Sequence, residues 1–553
     1  MRRKKYLLMM AVALLLAVLV VGCGGQQATQ EQEQDTQQQQ EQAAEKEEKV
    51  SEEDKHGGTL VYGRGSDSVK LDPADVTDGE SMKVTKQIYD SLVKYERGGT
   101  AVKPSLAKSW ETSQDGKVWT FKLREDVKFH DGAKFDAEAV KFNFDRWRKK
   151  DHEYHDGKFV YWSYMFGGFP GIVKEVEAVD NYTVEITLSK KSAPFLSNLA
   201  MAPFAIASPK AVKKYGEDYF KHPVGTGPFK LEEWKKGDRV ILTRNDDYWG
   251  GKPYLDKIVF RAIPDNTARF MELQSETIDM MDGVNPNSVP QVKDSDKLKL
   301  SLRPSMNVGY LAMNFMKEPF DNKLVRKAVN HAINKEEIIK AFYAGLAKPA
   351  KNPLPPSIWG YNENVDKYEY NPEKAKELLA EAGYPNGFET TLWAMPNPRP
   401  YMPQPKKIAQ AMQSNLKEVG IKVEIKSYDW GTYLEKTENG EHDMALLGWT
   451  GDNGDPDNFL YVLLDKDNAV KGSAGNIAFY KSDKLHELLI DAQKTMDKDK
   501  RTKIYKEAQE VIHEDAPWVP MAHSTPPIAL KNEVMNYEPS PLGIEKLDKV
   551  WIK

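Results

Sequence analysis

Residues 408–425 read Ile-Ala-Gln-Ala-Met-Gln-Ser-Asn-Leu-Lys-Glu-Val-Gly-Ile-Lys-Val-Glu-Ile, and this stretch decides the fold class. Ile408, Met412, Leu416 and Val419 recur at helical spacing, Gly420 stops the helix, and Ile421 to Ile425 alternates as a strand. Helix, glycine, strand in that order is a unit of an α/β fold with a mostly parallel sheet. Upstream, Asn322 to Ile333 places apolar residues at 324, 325, 328, 329, 332 and 333. Asn371 caps a further helix that has Pro372 at its first position and Gly383 at its end. The first half of the chain is richer in strands. Lys117 to Leu123 and Tyr182 to Leu188 both alternate at period two, and the pattern turns helical near Pro264-Asp265-Asn266.

Downstream, Met444-Ala445-Leu446-Leu447 reads as a short buried strand that runs into Gly448-Trp449-Thr450-Gly451-Asp452-Asn453-Gly454-Asp455-Pro456-Asp457-Asn458-Phe459. Strands of open α/β sheets deliver ligands to the loops at their carboxyl ends. Three aspartates beside a tryptophan make an acidic lip. An aspartate held away from bulk water needs a cation, because an unpaired buried charge is destabilising by several kcal/mol. That cation can be a metal, an arginine or a ligand ammonium. Asp455 and Asp457 read as loop-capping residues.

The amino terminus points to a compartment. Arg2-Arg3-Lys4-Lys5 followed by the apolar run Leu7 to Val21 has the two regions of a secretory signal, and the run is short for a membrane span of about 20 apolar residues. Cys23 is the only cysteine of the chain, so no intramolecular disulfide forms. Residues 26–54 are mostly Gln and Glu with almost nothing apolar, a composition that cannot offset its ordering entropy and predicts a disordered tether. The whole chain carries −5; without the four bases of the signal and the net seven negative charges of residues 24–55, about −2 remains for residues 56–553. Such a nearly neutral globular part gives no electrostatic case for nucleic acid.

Val20-Val21-Gly22-Cys23 resembles a bacterial lipobox, which implies a signal peptide over residues 1–22, lipidation of Cys23 and a tether to residue 56. Two or three acyl chains give the stable anchoring that one chain does not. Gly225-Thr226-Gly227-Pro228-Phe229-Lys230-Leu231, the segment from Leu106-Ala107-Lys108-Ser109-Trp110 through Phe129-His130-Asp131-Gly132, and Val325-Arg326-Lys327-Ala328-Val329-Asn330 resemble the family 5 extracytoplasmic solute-binding proteins of ABC importers. Leu392-Trp393-Ala394-Met395-Pro396, the Gly448 to Phe459 segment and Ala522-His523-Ser524-Thr525 resemble its dipeptide-binding subgroup. The resemblance runs from about Gly58 to Lys553.

It implies an α/β, two-lobed, periplasmic-binding-protein-like fold with hinged lobes around a cleft. The first lobe would span 57–264, with an α+β subdomain inserted at about 90–205, and would resume at 525–553. The second lobe would span 265–524, with hinge crossings near Pro264 and His523. The resemblance further implies that Asp452 grips a peptide ammonium and Arg399 its carboxylate. Gly448, Trp449 and Thr450 would flank the ligand on one side and Thr77 to Gly79 on the other, with Tyr401 on the cleft wall. A single aspartate suits an ammonium, and arginine's planar fork meets a carboxylate bidentately. Two fixed end clamps would select length. Oligopeptides, nickel chelates and haem are the alternative ligands within the same family. A monomer on the outer face of the cytoplasmic membrane, working with ABC permease subunits and without cofactor or metal, is the expectation. No Gly-x-Ser-x-Gly, His-Glu-x-x-His or phosphate-cradling glycine loop is present, so the sequence supplies no motif for hydrolysis.

Overall fold

The computed structural model describes residues 51–553. The expected signal segment, Cys23 and most of the tether lie outside the described residues. Two large sheets organise the rest. The first has seven strands in the order Leu298–Leu302, Pro527–Lys531, Met280–Met281, Thr59–Arg64, Lys257–Ala262, Arg239–Arg244 and Phe229–Lys235. Thr59–Arg64 runs parallel to both of its neighbours and the other pairings are antiparallel. Leu60 and Tyr62 point into one core with Leu242, Ile258, Phe260 and Leu530. Val61, one residue out of phase, packs on a second core of Phe270, Leu273, Ile278 and Met281, as the period-two geometry of a strand requires.

The second sheet has six strands in the order Ala347–Pro349, Trp518–Ser524, Asn307–Met313, Met444–Thr450, Glu389–Trp393 and Lys422–Lys426. The helix read from the sequence covers Pro405–Glu418 and buries Ile408, Met412 and Leu416. Gly420 then takes φ of +89°, which only glycine adopts without strain, and the chain enters Lys422–Lys426. That strand is parallel to Glu389–Trp393, which is parallel to Met444–Thr450. The expectation of a mostly parallel sheet needs correction, because Asn307–Met313 is antiparallel to both neighbours and Ala347–Pro349 to its one. These strands arrive by long excursions rather than by repeated strand–helix–strand units. Every residue of Asn307–Met313 and of Trp518–Ser524 is buried.

The crossing expected at Pro264 is also displaced. Asp265 accepts from Ala268 N at 2.7 Å and caps the helix Asn266–Gln274, which looks like a new start. The strands that follow, Met280–Met281 and Leu298–Leu302, nevertheless belong to the first sheet, so the chain passes to the second between Leu302 and Asn307. The returning chain passes between Ser524 and Pro527, beside it. Arg303 N donates to Pro526 O at 3.0 Å, and the Asn307 side chain donates to Ser524 O at 2.9 Å while accepting from Ser524 N at 3.0 Å. The Arg303–Glu545 pair at 2.7 Å is buried at the same junction.

Residues between the helix Gly79–Ile88 and the strand Phe229–Lys235 form an antiparallel sheet in the order Ala107–Thr112, Val118–Leu123, Thr183–Leu188, Val173–Asp180. The helix Ala137–Arg148 packs on it, and Trp147, Trp162, Phe166 and Phe204 fill its core. This unit leaves and rejoins the rest at one neck, where Ser91 bridges Ala205 and Ile206 N donates to Asp90 O at 2.9 Å.

Candidate functional site

The site grows from one unfinished pairing. Met444–Thr450 is paired along its length with Asn307–Met313, but on its other side only Met444 and Ala445 have partners, Leu392 and Trp393. The Tyr433 hydroxyl closes that shorter ladder, lying 2.6 Å from Leu446 O and 3.0 Å from Trp393 O with its one proton available to either carbonyl. Backbone groups of a strand alternate in direction, so those of Gly448 and Thr450 point the same way as those of Leu446. They face an edge from which the neighbouring strand has departed.

The chain that departs comes back as a turn. Arg399 and Met402 exchange backbone hydrogen bonds of 3.0 and 2.9 Å. Tyr343 donates to Tyr401 O at 3.0 Å, and the Ser524 hydroxyl donates to Pro400 O at 2.7 Å. Tyr401 lies on the sheet over two glycines that are partners in register, Gly309 and Gly448. A Cβ at Gly448 would collide with the Tyr401 ring, and one at Gly309 would lie 2.6 Å from Tyr401 O. The glycine pair is therefore the seat of the turn. Arg399 stacks on Trp430, with its guanidinium carbon 4.0 Å from the ring centroid. Among the described residues it has no carboxylate partner, and its buried Nε has no acceptor.

Asp452 sits two residues beyond the strand. Tyr161 donates to Oδ1 at 3.0 Å and the Asn458 amide to Oδ2 at 3.3 Å. Asn458 Oδ1 in turn accepts from Asp452 N at 2.9 Å and from Trp449 Nε1 at 3.0 Å, so one asparagine orients the whole lip. No cation pairs with Asp452 among the described residues. Burial is the main influence on its carboxyl and pushes its pKa up to about 6, although both side-chain hydrogen bonds oppose the shift. Asp452 and Tyr161 line a cavity of about 430 Å³ that runs between the helix Gly79–Ile88, the inserted unit and the carboxyl-terminal segment.

The neighbouring aspartates do something else. Asp455 accepts from Asp457 N at 3.1 Å, which is the loop-capping role read from sequence. It also makes a bidentate pair with buried Arg501, at 2.9 and 2.8 Å. Asp457 accepts from Gln493, and burial followed by the Asp455 charge pushes its pKa up to about 7. Thr77 and Gly79 are exposed where the helix Gly79–Ile88 begins, with Asp78 capping it through Ser81 N at 2.8 Å. That segment is a helix start and not a strand, and no hydrogen bond joins it to Gly448–Thr450 among the described residues. The structure thus gathers Arg399, Tyr401, Gly448, Trp449, Thr450 and Asp452 around one strand end, while Thr77 and Gly79 stand at the start of a helix.

Two contributors escaped the sequence reading. Asn458 lay inside the motif but had no visible role. Tyr161 is 291 positions from Asp452 and carried no signal at all. The inserted unit also meets the loop through the Asn453 amide, which donates to Asn198 Oδ1 at 2.9 Å.

A family model for bacterial extracellular solute-binding proteins, family 5 (middle), matches residues 101–471, and the chain belongs to this family. Among relatives, the dipeptide-binding protein of Escherichia coli is 40% identical over 90% of this chain and 95% of its own length. Heme-binding protein A of Haemophilus influenzae is 39% identical over 88% of this chain and 91% of its own length. The solved structure of an ABC transporter-associated periplasmic binding protein from Helicobacter pylori, in complex with the peptide STSA, superposes with a TM-score of 0.81. It is 42% identical, and the match covers 91% of this chain and 99% of that one. The two-lobed binding-protein fold follows from these likenesses.

Two outcomes follow from the geometry. Gly448→Ala should unseat Tyr401 and with it Arg399, lowering ligand affinity at least tenfold without removing either charged group, and a binding isotherm reads this directly; unchanged affinity would mean that the turn does not depend on its seat. Asp452→Asn should stabilise the unliganded protein at pH 8. The folded-state pKa is raised, so the charged carboxylate is destabilising above pH 6 and the effect vanishes below the unfolded value near 4; a gain on the order of 1–3 kcal/mol in urea unfolding is expected at pH 8 and little at pH 4.

Proposed function

We propose that this protein captures dipeptides outside the cell and delivers them to the membrane subunits of an ABC importer. The observation that carries the reading is Asp452, a carboxylate facing a cavity and held only by neutral donors. A ligand ammonium supplies the missing cation. Arg399, which has no carboxylate partner among the described residues, takes the other end, and the peptide backbone pairs with the open edge at Gly448 and Thr450 as an added strand. With both termini gripped, each further residue would overshoot by about 3.3–3.6 Å. The Escherichia coli relative is a dipeptide-binding protein and the Helicobacter pylori one is solved with STSA, a longer peptide, and both support a peptide ligand.

One lobe comprises residues 57 to about 302 with 525–553, and the other about 307–524. The two side-by-side crossings act as a hinge, and a ligand that touches Thr77 to Gly79 and Asp452 together favours closure. The protein acts as a monomer and needs no cofactor. A lipid on Cys23 tethers it to the outer face of the cytoplasmic membrane through the Gln- and Glu-rich segment.

Calorimetry tests the anchor. Asp452→Ala should weaken dipeptide binding by roughly 2–5 kcal/mol, and N-acetylation of the peptide should have a similar effect. Affinity should fall about tenfold per unit as pH drops below 6, because the protonated carboxyl no longer attracts the ammonium. Asp457→Asn should leave that slope in place. Dipeptides should bind better than tripeptides and far better than pentapeptides, and Arg399→Ala should flatten the series. Equal binding of free and acetylated peptides sinks the ammonium anchor, and a flat length series in the wild type promotes the oligopeptide alternative. For the tether, Cys23→Ala should release the protein from membranes into the medium, and retention of that variant would argue for an uncleaved helix.

A further inference from the structure

The cavity beside Asp452 contains a second charge that the dipeptide clamps do not use. Lys86 lies on the helix Gly79–Ile88 and lines the cavity, whereas Arg399 is not on its wall. The other cavity cations have partners already. Lys546 pairs with Asp90, Lys103 with Glu96 and Arg97 with Glu538. Lys94 and Lys549 lie over the rings of Trp249 and Tyr254. Lys86 alone among these has no hydrogen bond, ion pair or ring contact among the described residues. Burial, reinforced by the nearby Lys546 charge and opposed by Asp90, lowers its pKa to about 8.

An unpaired anion and an unpaired cation thus share one cavity of about 430 Å³, within the roughly 300–1,000 Å³ usual for ligand pockets. On an amino-terminal residue the ammonium and the side chain branch from the same carbon. A ligand whose ammonium meets Asp452 can extend its first side chain into the cavity that Lys86 also lines. We propose that Lys86 is a specificity residue that receives an acidic first side chain, so that the preferred ligands are peptides beginning with Glu or Asp. The proposal rests on the ammonium reading of Asp452 and adds to it the class of side chain. Glutamate and glutamine have nearly the same shape, so a preference between them reports charge in the cavity, and a hydrogen bond from Lys86 to a charged partner is strong enough to supply it.

Calorimetry with Glu-Ala, Gln-Ala and Ala-Ala tests this on the wild type, Lys86→Met and Lys86→Arg. The wild type should bind Glu-Ala about tenfold or more tighter than Gln-Ala. Lys86→Met keeps the apolar stem and should abolish that preference while leaving Gln-Ala and Ala-Ala within about threefold of the wild type, which also reports that the variant is folded. Lys86→Arg should retain the preference. If all three peptides bind the wild type equally, or if Lys86→Met still prefers Glu-Ala, the role of Lys86 is overturned and the dipeptide reading stands. If none of the three binds, the dipeptide reading falls and this inference falls with it.

Discussion

The pairing of Gly309 with Gly448 across two buried strands is the constraint on which the site depends. Two residues without side chains, face to face in register, leave a depression in the sheet that a tyrosine ring fills. Tyr401 holds the turn that carries Arg399, and the strand that contains Gly448 continues into the loop that carries Asp452. The positions of both charged groups follow from one register. A slip of a single residue would turn every side chain of Met444–Thr450 to the opposite face and close the depression. The register is strongly specified, because the strand that pairs with it is buried throughout.

Asp452 and Asp455 are three positions apart and meet opposite fates. Asp455 is neutralised by a bidentate arginine, with Tyr505 beside it, and this pair binds the loop to the helix Lys498–Asp515. Removing one partner of such a buried pair strands the other, at a penalty of about 3–5 kcal/mol, so the pair is structural. Asp452 has only a hydroxyl and an amide. The loop holds its oxygens in place without satisfying their charge, and on the proposed reading that charge is what a ligand ammonium meets. The raised pKa of the one and the paired state of the other are consequences of where a single arginine lies.

Local pattern carried far in this chain wherever the cause was local. Asn371 caps the helix Pro372–Glu381 through its own side chain, as its sequence implies, and Asn322 does the same for Lys323–Ala332. Gly420 ends its helix because only glycine accepts the required φ. The crossing near Pro264 was misplaced for the same reason: a well-capped helix marks a local beginning, and nothing in its sequence says that the next two short strands return to the sheet already built. The direction of Asn307–Met313 was equally hidden. Its seven buried residues are apolar or small enough for either pairing, and only its neighbours settle it as antiparallel.

The sequence by itself determined the class of fold and the family and singled out two charged groups as candidates, because periodicity, capping and motif chemistry act over a few residues and leave their mark there. It named Asp452 and Arg399 but gave no reason for either to lack an oppositely charged partner among the described residues. Tertiary structure decided that. It brought Tyr161 across 291 positions to Asp452, placed Arg501 on Asp455, ended the Glu389–Trp393 strand early enough to leave an edge open at Gly448 and Thr450, and put Lys86 on the wall of the same cavity as Asp452. Each of these depends on which distant groups share a small volume, and no short stretch of chain can encode a neighbour that arrives from elsewhere.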